Sequence, residues 1–510
     1  MTSAPVHLWR LLKWGRTLAR HGALQGIERD PLTPPNVRRL CRVARIGAKV
    51  PATVDYAAAL QEIGPAAIKL GQALATRPDL VGVEAAENLM QLQDSLPPEP
   101  FPAIKAEIER ALEAPLQALF SEFDEEPVGS ASIAQVHRAV TTEGREVAVK
   151  VLRPGIEEEF ARAIETYEWA AAHVELLGGE AERLRPRMVI AYFKQWVRRE
   201  LDLQREAASA SELKDNMVAE PGFHVPEIDW RRTARRVLTL EWLDGIKLSK
   251  REELIAAGHD PKALAAILVR AFLRQAVVDG YFHADLHQGN LFALKDGRVA
   301  AVDFGIMGRI DRRARMWLAE ILYGLITGNY MRVAEIHFEA QYVPAHHDVA
   351  EFATALRAVG EPIRGLPVKE ISIGRMLEGL FAITRDFDMP TQPHLLLLQK
   401  TMVMEEGVAT ALDPDINMWE TAEPFLKDWI RSELGPEAYY ADRIVETVRA
   451  LKLIPDILRK IDASYPSPGA APPPPPLADV AVIERKSWMA PLAIGVAAFA
   501  AGAAAMWLLG

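Results

Sequence analysis

The sequence predicts an α+β fold with a C-terminal transmembrane helix, and three observations carry that prediction. Strand-type sequence is confined to short runs between Pro127 and Val302. Helical sequence dominates before them, over 54–120, and after them, over 312–460. The C-terminal stretch Trp488–Leu509 holds 22 residues without a charge. At 510 residues the chain is long enough for two or three domains and a sizeable core.

Charge and cysteine usage narrow the function classes. A total of 59 Lys+Arg stands against 69 Asp+Glu, a mildly acidic balance that argues against nucleic acid as a partner. Residues 1–50 are the exception, with ten basic and two acidic residues. Cys41 is the only cysteine, so no internal disulfide forms and a reducing cytosol fits. The N-terminus lacks an uninterrupted apolar core with a small-residue cleavage site, so no secretory signal is expected.

Residues 6–22 have helical periodicity. Leu8, Leu11, Leu12, Trp14 and Leu18 fall on one side, and Arg10, Lys13, Arg16 and Arg20 on the other, with Trp9 among them. Such a basic amphipathic helix lies either on an anionic membrane surface or on the body of its own domain. The helical stretch 54–120 is punctuated by Pro65, Pro78 and Pro97-Pro98. Within it, Lys69 and Gln72 are three apart and share a helix face, and Gly71 permits close backbone approach.

From Pro127 the pattern changes to strands. Val128, Gly129, Ser130, Ala131, Ser132, Ile133, Ala134, Gln135 and Val136 form a run of mostly small residues ahead of a hairpin. Its turn is expected near Thr142–Arg145, with return through Val147-Ala148-Val149-Lys150. Small residues let loop amides approach phosphate oxygens, and a lysine on the returning strand reaches the α/β-phosphates when a carboxylate holds it. Helix is expected again over 156–220. It contains Glu200, Asp202 and Glu206, which form either a solvated acidic face or a set of partners for Lys69 and Lys150. On one continuous helix Asp202 and Glu206 are i, i+4 neighbours, while Glu200 points elsewhere. Val237–Gly245 reads as a buried strand, with Glu241 where a hinge would meet an adenine.

The chemistry concentrates in His283-Ala284-Asp285-Leu286-His287-Gln288-Gly289-Asn290 and Val302-Asp303-Phe304-Gly305. An Asp, an Asn five residues later and an Asp thirteen beyond that are the spacing of phosphoryl-transfer enzymes of the protein-kinase kind. There the first Asp orients the attacking hydroxyl, and the other two side chains hold magnesium at the nucleotide phosphates. Between the motifs, Leu291–Val302 reads as a β-hairpin turning at Lys295-Asp296-Gly297, which brings Asn290 and Asp303 together. After Gly305 no A-P-E sequence follows, so a long activation segment is not expected. Residues 466–477 are proline-rich. Trp488–Leu509 spans about 33 Å as a helix, enough to cross a bilayer, and Arg485-Lys486 ahead of it place the body in the cytoplasm.

Taken together these residues resemble the UbiB family of atypical kinases, bacterial relatives of the mitochondrial proteins required for coenzyme Q synthesis. The resemblance runs from about residue 35 to 460. It rests on KLGQ at 69–72, SASIAQVH at 130–137, VAVK at 147–150, ELDLQREA at 200–207, HADLHQGN at 283–290 and VDFG at 302–305. It implies a two-lobed protein-kinase-like fold with a helical N-terminal extension (1–115), an N-lobe (116–245) and a helical C-lobe (246–465). A linker (466–485) and a transmembrane anchor (486–510) complete the expected organisation.

Carried over residue by residue, the resemblance implies that Lys150 contacts phosphates and pairs with Glu206. Glu200 and Asp202 become the acids of an E-x-D element, with Glu200 facing Lys69. Asp285 becomes the catalytic Asp, and Asn290 and Asp303 the magnesium ligands. The family's loop is alanine-rich, and Gly129 stands here where alanine is expected. Ala284 replaces the arginine that precedes the catalytic Asp in ordinary protein kinases, which argues against control by activation-loop phosphorylation. The implied cofactors are ATP (or ADP) and Mg2+. The implied partners are membrane lipids, quinone precursors and other ubiquinone-biosynthesis proteins, and the implied location is the inner membrane. Two other readings remain: a small-molecule phosphotransferase, which shares H-x-D-x-x-x-x-N, and a nucleotide-gated scaffold with little turnover. A ring hydroxylase is rejected for want of G-x-G-x-x-G and clustered metal ligands.

Overall fold

The computed structural model describes residues 3–25, 35–46, 54–75, 89, 96–175, 186–364, 383, 386–389, 393–416 and 429. The expected linker and terminal span lie outside the described residues. Among the described residues no helix is long and apolar enough to cross a membrane. The chain divides into two units. The first holds the described residues up to Ala208 together with Glu227–Trp242, and the second holds Ser209–Pro226 and the described residues from Leu243 onward.

The first unit is built on an antiparallel sheet in the order β1 (Phe120–Phe123), β3 (Ala134–Thr141), β4 (Glu146–Leu152), β6 (Val237–Glu241), with β2 (Gly129–Ser130) also paired to β3. The expected hairpin is β3–β4, with Gly144 at φ +84° in its turn. Alternation along β4 sends Val147, Val149 and Val151 into a core with Ile104 and Ile108. Those isoleucines lie on a helix at Phe101–Leu112. Lys150 is therefore on the opposite face of the strand.

Helices complete this unit: α1 (Ala4–Arg20), α2 (Pro35–Arg45), α3 (Tyr56–Ile63), α4 (Pro65–Ala75), α5 (the Phe101–Leu112 helix), α6 (Ile156–Glu175), α7 (Pro186–Glu200) and the start of α8 (Leu203–Asn216), which belongs to the second unit from Ser209 on. Of the two readings of α1, packing on the body is the one observed. Leu11 is buried with Ala170 and Val174 of α6, and Arg10 Nη1 donates to Thr166 Oγ1 at 3.1 Å. Trp9 and Leu12 stay exposed beside the arginines. One expectation is corrected. The run 156–220 is not continuous helix: α7 ends at Glu200, α8 begins at Leu203, and Leu201-Asp202 form the break. The i, i+4 relation of Asp202 and Glu206 on a single helix therefore does not hold.

The second unit opens with Phe223–His224 (β5), which pairs in parallel with β10 (Val299–Ala301). The sheet runs β5-β10-β9-β7, with β7 at Gly245–Lys247 and β9 at Leu291–Leu294. β9 and β10 form the expected hairpin, with Gly297 at φ +84°. Short strands β8 (Tyr281–His283) and β11 (Met307–Arg309) pair with each other. After α9 (Arg251–Ala256), α10 (Pro261–Leu273) is capped by Asp260, whose side chain accepts from Lys262 N. α10 runs into a π-helical turn over Arg274–Asp279, which Gly280 ends at φ +64°. A Cβ there would collide with Ile310 O, so both conformation and space require glycine. Helices α11 (Arg312–Thr327), α12 (Tyr330–Glu339) and α13 (Val349–Arg364) share a core around Tyr330, Val333, Ile336 and Phe352. α14 (Pro393–Leu412) packs on α10 and β11. Only Ile306–Asp311 separates Gly305 from α11, so no long activation segment is present there.

Candidate active-site residues

In the first unit, Lys150 Nζ donates to both Glu206 oxygens, at 2.8 and 2.9 Å. The strand presents the lysine and the first turns of α8 present the glutamate. The pair is largely buried, at 15% and 7% side-chain exposure, so each charge depends on the other. The second expected lysine–acid pair also forms. Lys69 Nζ on α4 lies 3.6 Å from Glu200 Oε2 at the end of α7, both at 11% exposure. Its ammonium stands 5.9 Å from the Trp196 ring, one turn earlier on the same helix. Gln72 follows Lys69 on α4 and is half-buried. Asp202 meets neither lysine. Its Oδ2 lies 3.7 Å from Arg205 Nε, while Oδ1 is buried without a hydrogen-bond partner.

The loop of small residues is tighter than a flexible flap. Val128 N donates to Val136 O and Ala131 N to Ala134 O, so β2 folds back on β3. Gly129 has open space around its Cα, so alanine fits and the departure from the family pattern has no steric cause. Ile133, Ala134 and Ser132 are buried. Gln135 turns inward, where its Oε1 accepts from Glu99 N and its Nε2 donates to His137. His137 is held neutral by burial. Arg153, which sequence reasoning missed, binds the loop from below. It donates to Ala131 O, Ser130 Oγ, Pro97 O and Glu99 Oε1. Glu241, at the end of β6, has its backbone N bonded to Glu227 O and its carboxylate to Glu227 N.

In the second unit, Asn290 Nδ2 donates to Asp285 O at 3.3 Å, which leaves the Asn290 carbonyl oxygen for another partner. Val302 N donates to Asn290 O at the open end of the β9–β10 hairpin, one residue before Asp303. Asp303 is exposed and sits at φ +64°, uncommon for a non-glycine residue. An amide oxygen and a carboxylate on either side of that hairpin are the hard donors magnesium prefers, so the residues present fit the ion.

His283 is the support of this half. Its Nδ1 accepts from Asp285 N and its Nε2 donates to Val302 O, which ties the two motifs to one ring. Burial pushes its pKa down, in keeping with a neutral imidazole. Its own backbone N donates to Gln275 Oε1 from the π-helical turn, and its ring meets Phe304 edge-on at 5.5 Å. Lys400, which sequence reasoning also missed, donates from α14 to Asp285 Oδ1 at 3.1 Å. Elsewhere in this unit, His346 and His347 both approach Asp388 Oδ2, at 3.6 and 3.3 Å. His346 and Asp388 are two-thirds exposed, and a surface hydrogen bond between His347 and Asp388 accounts for the group.

Two family descriptions match the chain. Residues 91–337 match the ABC1 atypical kinase-like domain, and residues 356–417 match the UbiB helical domain. The chain is 40% identical over 420 residues to the probable protein kinase UbiB of Marinobacter nauticus, covering 80% of this chain and 77% of that protein. It is also similar to a solved Mycobacterium tuberculosis protein described in complex with erythromycin, at 24% identity and a TM-score of 0.49. That match covers 71% of this chain and 93% of the other. With both domains matched in order and a relative 40% identical over 80% of this chain, the chain belongs to the UbiB family of atypical kinase-like proteins.

Proposed function

We propose that this protein is an ATP-binding, magnesium-dependent atypical kinase or ATPase that supports ubiquinone biosynthesis at the inner membrane. The observation that carries the proposal is the buried pair Lys150–Glu206, since a strand lysine held by a helix carboxylate is the arrangement that grips nucleotide phosphates in kinases. Lys150 binds the phosphates, and the backbone of 128–136 adds donors to them. Asn290 and Asp303 would hold Mg2+, which neutralises phosphate charge when bound. Asp285 orients the acceptor hydroxyl and takes its proton. ADP fits the same contacts.

The uncharged segment Trp488–Leu509 anchors the chain, and the cytoplasmic body works on or beside membrane lipids and quinone precursors together with other proteins of that synthesis. A second reading is a nucleotide-gated scaffold: the family resemblance implies that the K-x-G-Q helix is a lid over the active site, and the buried Lys69–Glu200 pair would hold that helix seated against a bulky acceptor. Thermal stabilisation by magnesium-ATP tests the nucleotide assignment. Asp303→Asn is nearly isosteric and should lose most of that stabilisation while keeping the unliganded midpoint. Stabilisation equal to wild type would contradict the metal assignment.

A further inference from the structure

We infer that Lys400 of α14 is a positioning residue for phosphoryl transfer. It fixes the Asp285 carboxylate and supplies a positive charge that the loop around Asp285 does not carry itself. The inference rests on the proposed function above and adds a residue to it. The geometry is direct: Lys400 Nζ donates to Asp285 Oδ1 at 3.1 Å. The two side chains are 36% and 30% exposed, open enough to meet a reactant and closed enough that the contact is not a fully solvated surface pair.

Between Asp285 and Asn290 the residues are Leu286, His287, Gln288 and Gly289, so no lysine or arginine lies in the loop. Leu286 is buried, and His287 Nδ1 is occupied in accepting from Gly289 N. Lys400 reaches the same carboxylate from a helix 115 residues further on. That helix is well seated. Leu398, Met402, Val408, Ala409 and Leu412 are buried along it, and Arg251 Nε donates to Leu412 O at 3.0 Å. The lysine falls outside the stretch matching the kinase-like domain and inside the UbiB helical domain. The helical domain therefore contributes a side chain to the reaction centre as well as a packing surface.

The chemistry follows from which oxygen is occupied. With Oδ1 accepting from Lys400, Oδ2 is left to take the acceptor's proton. The acceptor oxygen forms its bond to the γ-phosphorus, the bond from that phosphorus to the bridging oxygen of ADP breaks, and ADP leaves with the bond pair. Lys400 holds the carboxylate at one angle and offsets its negative charge, which would otherwise repel the incoming phosphoryl group. Such a role acts on turnover more than on ATP binding.

The test uses the full chain and magnesium-ATP turnover, comparing wild type, Lys400→Met, Lys400→Arg, Asp285→Asn and the Lys400→Met/Asp285→Asn double variant. Lys400→Met should lower kcat about 10- to 100-fold with KM for ATP within about twofold, and Lys400→Arg should recover most of that loss. The double variant should be no slower than Asp285→Asn alone, since both act through one carboxylate. An unchanged kcat in Lys400→Met would overturn the inference alone. So would an arginine variant no better than methionine, or losses that multiply in the double variant. A wild type without turnover that Asp285→Asn abolishes would overturn the kinase assignment and this inference with it.

Discussion

Glu206 receives two hydrogen bonds from the Lys150 ammonium while only 7% exposed, so the carboxylate has little water to fall back on. Glu206→Gln keeps the shape and removes the countercharge. The lysine is left as a largely buried cation, at a cost of roughly 3–5 kcal/mol. The expected result is a lowered unfolding midpoint together with weaker magnesium-ATP stabilisation, both read by thermal denaturation with and without nucleotide. A variant as stable as wild type with full nucleotide response would mean the pair is not what orients Lys150.

Lys69 and Glu200 make the comparable contact between α4 and α7. If the seated helix excludes protein acceptors, Lys69→Ala should loosen it and raise self-phosphorylation. That gain should vanish in the double variant with Asp285→Asn. Phosphate incorporation from labelled ATP into the protein is the measurement. No gain in Lys69→Ala, or a gain that survives loss of Asp285, would end the idea of a lid.

The sequence and the structure meet most closely where the signal is local. The β9–β10 hairpin was legible because its strands are adjacent in sequence and its turn carries Asp296-Gly297, and β3–β4 for the same reason. β5 was not, since two residues, Phe223 and His224, have no periodicity and find their partner more than 70 residues later in β10. The break at Leu201-Asp202 carries no glycine or proline, so nothing local marks it. Lys150 and Lys69 announced themselves through short motifs. Arg153 and Lys400 did not, because their roles rest on contacts across the fold: Arg153 with backbone oxygens at 97 and 131, Lys400 with Asp285. An arginine directly ahead of the Pro154-Gly155 turn, closing a buried strand, was the one available hint for the first.

Glu405 on α14 is fully buried, and neither carboxylate oxygen has a hydrogen-bond partner. Burial raises its pKa well above the usual 4.5. The folded protein therefore keeps a proton that the unfolded chain releases above pH 4.5, so this residue lowers stability as pH rises from there toward the folded value. Glu405→Gln removes that dependence. Its stability relative to wild type should increase between pH 5 and pH 8, by up to about 1.4 kcal/mol per pH unit. Urea midpoints at pH 5, 6.5 and 8 measure it, and a difference that is constant across the three would contradict the assignment.

If ATP turnover through Asp285 is what the cell needs from this protein, losing the proton acceptor at that position is the decisive change. Asp285→Asn keeps the size of the side chain and the backbone contacts of Asp285 with His283 and Asn290, and removes the proton acceptor. The direct measurement is the ubiquinone content of cells that lack the protein and carry either wild type or Asp285→Asn at matched levels. The expected result is restoration by wild type and none by the variant. Full restoration by Asp285→Asn would contradict the account and leave the scaffold as the working role.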